Sequence, residues 1–263
     1  MQLLIPTTPY ALPYRVRLQR ELAAGPHDLT IRVTLATDEP GEVAAEALDA
    51  TVLPFLLMAT SGAFAGVSIP PWRSTVEDWS DPIVGPSAVE WQLTGACWDL
   101  QALVVLAQML MTAHENHPIR QIECFDANRP HEMIEVLAGQ RGADPYPGRW
   151  HGVDFVVVPH ADLSKSFTVV ATFERVLSPG EQERVDEELS AWSPGLMLGA
   201  YGVAPVPPAR CVGYPAEELV FVDNELEWAF GSYLAHSSAI EGLINVFAAI
   251  SHKVVRVVGF RVV

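Results

Sequence analysis

Two arginines stand in matching places behind tight proline turns: Arg73 in Pro70-Pro71-Trp72-Arg73, and Arg210 in Pro207-Pro208-Ala209-Arg210. Proline restricts the backbone and helps fix where the following residues point. A guanidinium held that way suits a carboxylate or phosphate in a two-point hydrogen bond. Asp99 and His236 fall near the starts of two helix-like segments, and with the arginines they make a candidate site for a small anionic ligand. The plainer expectation is that each arginine pairs with an acid of its own surroundings, Glu90 for Arg73 and Glu227 for Arg210, as surface charges commonly do.

His114 and His117 are three residues apart at the end of a helix-like run, and His131, Glu132 or Asp126 could complete a metal site. Histidine is also favoured at a helix C-terminus by the dipole, so the structural role is expected and no metal is assigned. His151, Asp154, His160 and Asp162 could supply a general base oriented by a carboxylate. The echo of Pro26-His27-Asp28-Leu29 in Pro159-His160-Ala161-Asp162-Leu163 favours a turn instead. Cys97 and Cys124 sit in apolar runs and read as small buried hydrophobes. With Cys211 they make an odd count without pairing pattern, which argues for a reducing cytoplasm. No nucleophile elbow, phosphate-binding glycine loop, Cys-x-x-Cys pair or dinucleotide fingerprint occurs, so no catalytic residue is assigned and no cofactor is expected.

Charge points towards a partner. The 263 residues carry 32 Asp and Glu against 16 Lys and Arg, a net charge of −16. The basic residues are scattered and only Lys165 and Lys253 are lysines, so binding to a nucleic-acid backbone is not expected. The run Glu181 to Glu188 is the densest acidic stretch, and its Glu183, Glu187 and Glu188 are candidate docking charges for a basic protein. Trp72 and Trp79, in a loop with Arg73, are candidate aromatic anchors for the same partner, or plugs for a join inside the molecule. The apolar stretch 52–69 approaches membrane-span length, but Pro54, Thr60, Ser61, Gly62 and Gly66 interrupt it, so no membrane is expected.

The elements that must hold these residues repeat along the chain. Pro40-Gly41-Glu42 recurs as Pro179-Gly180-Glu181, Val89-Glu90-Trp91 as Leu226-Glu227-Trp228, and Ile119 to Phe125 as Val254 to Phe260. The proline turns before Arg73 and Arg210 fall in the same order. The offset stays at about 133 to 139 residues, as small loop insertions allow. In each copy an alternating strand (Thr30–Thr37, Phe167–Phe173) precedes a helix opened by Pro-Gly-Glu, with Pro54 and Pro194 as its expected stops. A short strand, a strand through Trp91 or Trp228, an apolar helix and a closing strand follow. A further strand in front (Tyr14–Glu21, Val153–Val158) is expected to form a hairpin with the first.

That order resembles the split β-α-β, or ferredoxin-like, arrangement. The expected fold is therefore α+β: two ferredoxin-like units over 1–127 and 150–263, each with an extra N-terminal strand, joined by a linker over 128–149 and packed as a pseudo-twofold dimer. Two functions follow. One is a soluble non-catalytic protein that docks a partner macromolecule, such as a basic protein it neutralises. The other is an enzyme or small-ligand receptor with an anion bound between the repeats.

Overall fold

The computed structural model describes residues 12–19, 26–37, 41–65, 69–98, 102–129, 132–136, 153–158, 165–202, 218–231, 235 and 238–263. It is an α+β protein with two mixed sheets. The first half contributes β1 (Arg15–Gln19), β2 (His27–Leu35), α1 (Glu42–Thr60), a 3-10 turn (Pro71–Arg73), β3 (Asp78–Trp79), β4 (Ile83–Val84) and β5 (Ala88–Ala96). It continues with α2 (Leu103–Met109), α3 (Met111–Asn116), β6 (Ile119–Phe125) and β7 (Met133–Val136). The second half contributes β8 (Val156–Val158), β9 (Phe167–Phe173), α4 (Pro179–Leu189), α5 (Trp192–Met197), β10 (Val220–Val222), β11 (Glu225–Phe230), α6 (Ser238–Lys253) and β12 (Val257–Val262).

Strand pairing follows one rule in both sheets. The first sheet runs β3-β5-β2-β6-β1-β7, with β4 also on β5, and the second runs β10-β11-β9-β12-β8. In each, the alternating strand is central: β2 lies antiparallel between β5 and β6, and β9 antiparallel between β11 and β12. Its inward residues, Ile31, Val33 and Leu35 or Val169, Ala171 and Phe173, are almost fully buried. The leading strands do not form the expected hairpins. β1 is parallel to β6 and β8 is parallel to β12. Both edges of β2 and of β9 are already occupied, so the leading strand adds one place further out. The segment read as a linker begins differently as well, because its Met133–Val136 is β7, antiparallel to β1.

Pro54 does not end its helix. It sits inside α1, where its missing N–H leaves the Ala50 carbonyl without a helical donor. Ala50 is exposed, so water can serve that carbonyl. Pro194 lies in the first turn of α5, where a helix needs no N–H from it. α4 starts on a capping box: Ser178 and Glu181 satisfy each other's exposed donors, and Arg175 clamps the Glu181 carboxylate at 2.6 Å. Among the described residues, α1 alone is long and apolar enough to cross a membrane, and its Leu48, Val52, Phe55, Leu56 and Met58 are fully buried in the core.

The two halves share one apolar core and meet through their helices, α1 against α5 and the 3-10 turn against α6. α1 and α5 end in the same hydrogen-bonded form. After α1, Gly62 N–H donates to the Ala59 carbonyl and Ala63 N–H to the Met58 carbonyl; after α5, Gly199 N–H donates to Leu196 and Ala200 N–H to Gly195. This is the Schellman ending, and it needs a left-handed residue, here Gly62 at φ +98° and Gly199 at φ +88°. Met58 and Gly195 occupy the same place in the two endings, and they touch each other: a Cβ on Gly195 would lie 2.3 Å from Met58 Sδ. Only a residue without a side chain lets the thioether through.

Gly195→Ala is therefore expected to lower stability by about 1–3 kcal/mol through overpacking. In a Met58→Ala background most of that cost should vanish, giving a coupling energy well above the few tenths of a kcal/mol seen for independent sites. Denaturant unfolding of the parent, both single variants and the double variant checks this; additive costs would mean that the two residues do not meet.

Candidate functional site

Trp72, Arg73 and Cys97 come together where the 3-10 turn crosses the end of β5. Trp72 is half-buried and stacks on His252 of α6, with ring centroids 5.1 Å apart, so it lies in the join between the halves. Trp79 is half-buried at the sheet edge and packs against the core. The Arg73 side chain is exposed and close enough to Cys97 to favour its thiolate, yet burial outweighs it and pushes the Cys97 thiol up. Arg73 is not held by Glu90, which instead accepts Arg32 at 2.6 Å. Arg210, Asp99 and His236 lie outside the described residues, so of the anion-site candidates only Arg73 can be placed. Cys211, His131, His151, His160 and Asp162 also lie outside them.

His114, Cys124 and Asp28 serve the fold. His114 Nδ1 accepts the Ile119 N–H at 2.9 Å, closing the turn from α3 into β6, and its ring rests against Tyr14. Burial holds its pKa below the ordinary imidazole range, with the Glu115 charge acting the other way. Cys124 is fully buried and its thiol is pushed up to about 12 by desolvation, which removes it as a nucleophile at neutral pH. Asp28 receives the Gly95 N–H at 3.2 Å, at the bulge where β2 shifts register against β5. Beside it a cleft of about 380 Å³ is lined by His27, Asp28, Glu77 and Asp126. Asp126 is already engaged by the Asn128 N–H and by Arg129 at 3.2 Å. Among the described residues no three His, Cys, Asp or Glu side chains are grouped to hold a metal ion. Asp154 pairs loosely with Arg256 at 3.8 Å.

Two charged surfaces differ in kind. Across the outer face of the first sheet, Glu90, Arg32, Glu123 and Arg17 fall in one register row. Arg32 reaches Glu90 at 2.6 Å and Glu123 at 3.9 Å, while Arg17 meets Glu123 at 3.1 Å, so the row neutralises itself. Every second residue of these strands is polar, a signal present in the sequence, but only strand register reveals the row. On α4 the acids are not neutralised in this way. Glu183, Asp186 and Glu187 are exposed and have no ion-pair partner among the described residues. Glu188 departs from the other docking candidates, because Lys253 of α6 holds its carboxylate at 3.2 Å and the pair is partly buried.

Lys253 also donates to the Thr60 carbonyl at the end of α1, so it ties three helices together. Beside it a cleft of about 310 Å³ opens between α1 and α4, lined by Leu57, Thr60, Ser61, Arg184, Glu187 and Glu188. No protein-family model matches the chain, and no curated protein is detectably similar to it.

The His114 arrangement sets a pH dependence. Its folded pKa lies below the unfolded value of 6.5, so on acidification the unfolded chain takes up the proton first. Stability from this group is complete above that value and is lost as pH falls through the window towards the lowered folded pKa. His114→Gln, which keeps an acceptor for Ile119, should flatten the fall in thermal midpoint between about pH 7.5 and 5. Identical slopes for parent and variant would show that His114 does not titrate with unfolding.

Proposed function

We propose that this protein is a non-catalytic docking protein, an acidic cytoplasmic scaffold that binds a basic partner macromolecule and neutralises it. The observation that carries this reading is the α4 surface: Glu183, Asp186 and Glu187 project into solvent without partners among the described residues, in a chain of net charge −16. Unpaired like charges on one helix face repel each other and cost stability unless they serve solubility or a partner. Among the described candidates, Asp28 and His114 are committed to backbone contacts and Cys124 is buried out of reach, which supports docking over catalysis at those positions.

The scaffold, on this reading, is a tandem duplication of a ferredoxin-like unit with an extra leading strand laid parallel to the last strand of each unit. The common strand order supports it, as do the paired Schellman endings. So does the contact of Met58 with its own counterpart Gly195, as expected of a residue on a twofold axis. The duplication buries one helical face of each unit against the other and leaves Glu183, Asp186 and Glu187 of α4 in solvent.

Charge reversal tests the docking reading. Glu183→Lys, Asp186→Lys and Glu187→Lys together should slow association with an immobilised lysine-rich polypeptide by about tenfold at low salt. Reversing three other exposed acids, Glu77, Asp78 and Asp81, should change it far less. Equal losses from the two triple variants would mean that net charge alone governs binding and that α4 is no docking face.

A further inference from the structure

The two sheets turn different surfaces to solvent. Antiparallel sheets ordinarily show polar residues on the side away from the core. The first sheet does so over four strands, with Arg17, Glu123, Arg32 and Glu90 in one row. On the second sheet both outer strands point valines outward: Val156 (68% exposed) and Val158 (53%) on β8, Val220 (50%) and Val222 (53%) on β10. The core does not use them, because these strands turn Val157 and Phe221 inward instead. Exposed apolar patches of this kind mark contact surfaces.

Register decides what can cover the valines. β9 is the middle strand of five, and the row through its Val170 reads Val158, Arg261, Val170, Glu227, Val220 from β8 to β10. A half-turn about an axis along β9 carries β8 onto β10 and β12 onto β11. A second copy laid face to face by that turn sets valine on valine at both edges. It also sets Arg261 on Glu227 at two places, one on either side of the axis. The Arg261 side chain is 45% exposed beside its own Glu225 at 3.3 Å, and Glu227 is exposed with no ion pair among the described residues, so both are open to a further charge.

The first sheet is the contrast. Its row reads Arg17, Glu123, Arg32, Glu90, Ile83 about the central β2, and the same turn would set Glu123 on Glu90 and Arg32 on Arg32. Like charges opposed in that way reject the contact, so only the second face is complementary to itself. That face is also nearly neutral in a chain of net charge −16: Arg261, Glu225 and Glu227 are the charged residues of its five strands. Two acidic copies therefore meet there with little repulsion.

We propose that the outer face of the second sheet is the interface of a twofold homodimer, in which a second copy of this chain covers the valines and each Arg261 meets Glu227 of the other copy. The proposal goes beyond the docking reading and is independent of it, because α4 packs on the core side of the sheet through Val185 and Leu189. Sheets stacked face to face cross at about 30°, which moves the outer strands by about one residue and keeps Val158 over Val220 and Val222. Five strands about 4.8 Å apart make a face about 20 Å wide, a modest contact, so association in the micromolar range is expected.

Sedimentation velocity of the full chain at about 150 mM salt, from about 1 to 300 µM, tests this. The parent should pass from monomer to dimer. Arg261→Glu alone and Glu227→Arg alone should each weaken dimerisation at least about tenfold, because each sets like charges across the axis. Mixed one to one, the two variants should dimerise as well as the parent, since their heterodimer again sets opposite charges at both places. Val158→Ser with Val220→Ser should weaken the dimer similarly and leave the thermal midpoint nearly unchanged, both side chains being half exposed already. A parent that stays monomeric throughout would overturn the proposal. So would a dimer that these variants leave intact, which would place the interface on another surface. A mixture that stays monomeric would also overturn it, by showing that Arg261 does not face Glu227.

Discussion

A helix that ends inside a protein must find donors for its last carbonyls, and α1 finds them in its Schellman turn and in donors reaching in from elsewhere. Its last turn has no basic residue. Ser74 donates to the Ala59 carbonyl at 2.5 Å, Lys253 to Thr60, and Asn245 of α6 to the Ala63 carbonyl just beyond. Two of these three donors belong to the other half of the chain. The negative end of the α1 dipole thus meets one of the only two lysines in the protein. The rest of the arrangement depends on this ending. It brings Met58 onto Gly195 and Trp72 onto His252, and it presses α6 into a position where nearly its whole length is buried.

Building the join from helices has a consequence for function. α2 and α6 are consumed by the core, and the charges on the outer face of the first sheet neutralise one another. Lys253 and Glu188 are consumed by the seam. Among the described residues, Glu183, Asp186 and Glu187 of α4 stay outside these contacts. α1 fastens the halves with its buried side, which accounts for its long apolar run: half of that run is buried inside the molecule.

Much of the fold was legible locally. Alternation in Thr30–Thr37 and Phe167–Phe173 marks the central strands, and Pro-Gly-Glu marks both helix starts, because each is decided by neighbours in sequence. Pairing was not legible. The expected hairpins of β1 and β8 failed because the neighbours of β2 and β9 come from about 60 to 90 residues further along the chain, a competition no local signal records. Pro54 misled because its cost depends on whether Ala50 faces water. The site was legible in part: the acids of α4 are obvious in the sequence, but the loss of Glu188 to Lys253 and the seating of Trp72 on His252 are contacts between halves.

The central claim is that the two halves form one cooperative body through the ending of α1. Hydrogen exchange of the full chain in increasing denaturant tests this most directly, by following peptides from α1 and α6 together with peptides from β2 and β9. The account predicts that all four segments reach the same opening free energy and exchange as one unit. Two separate openings, with β2 and α1 exchanging together while β9 and α6 stay protected or the reverse, would contradict it.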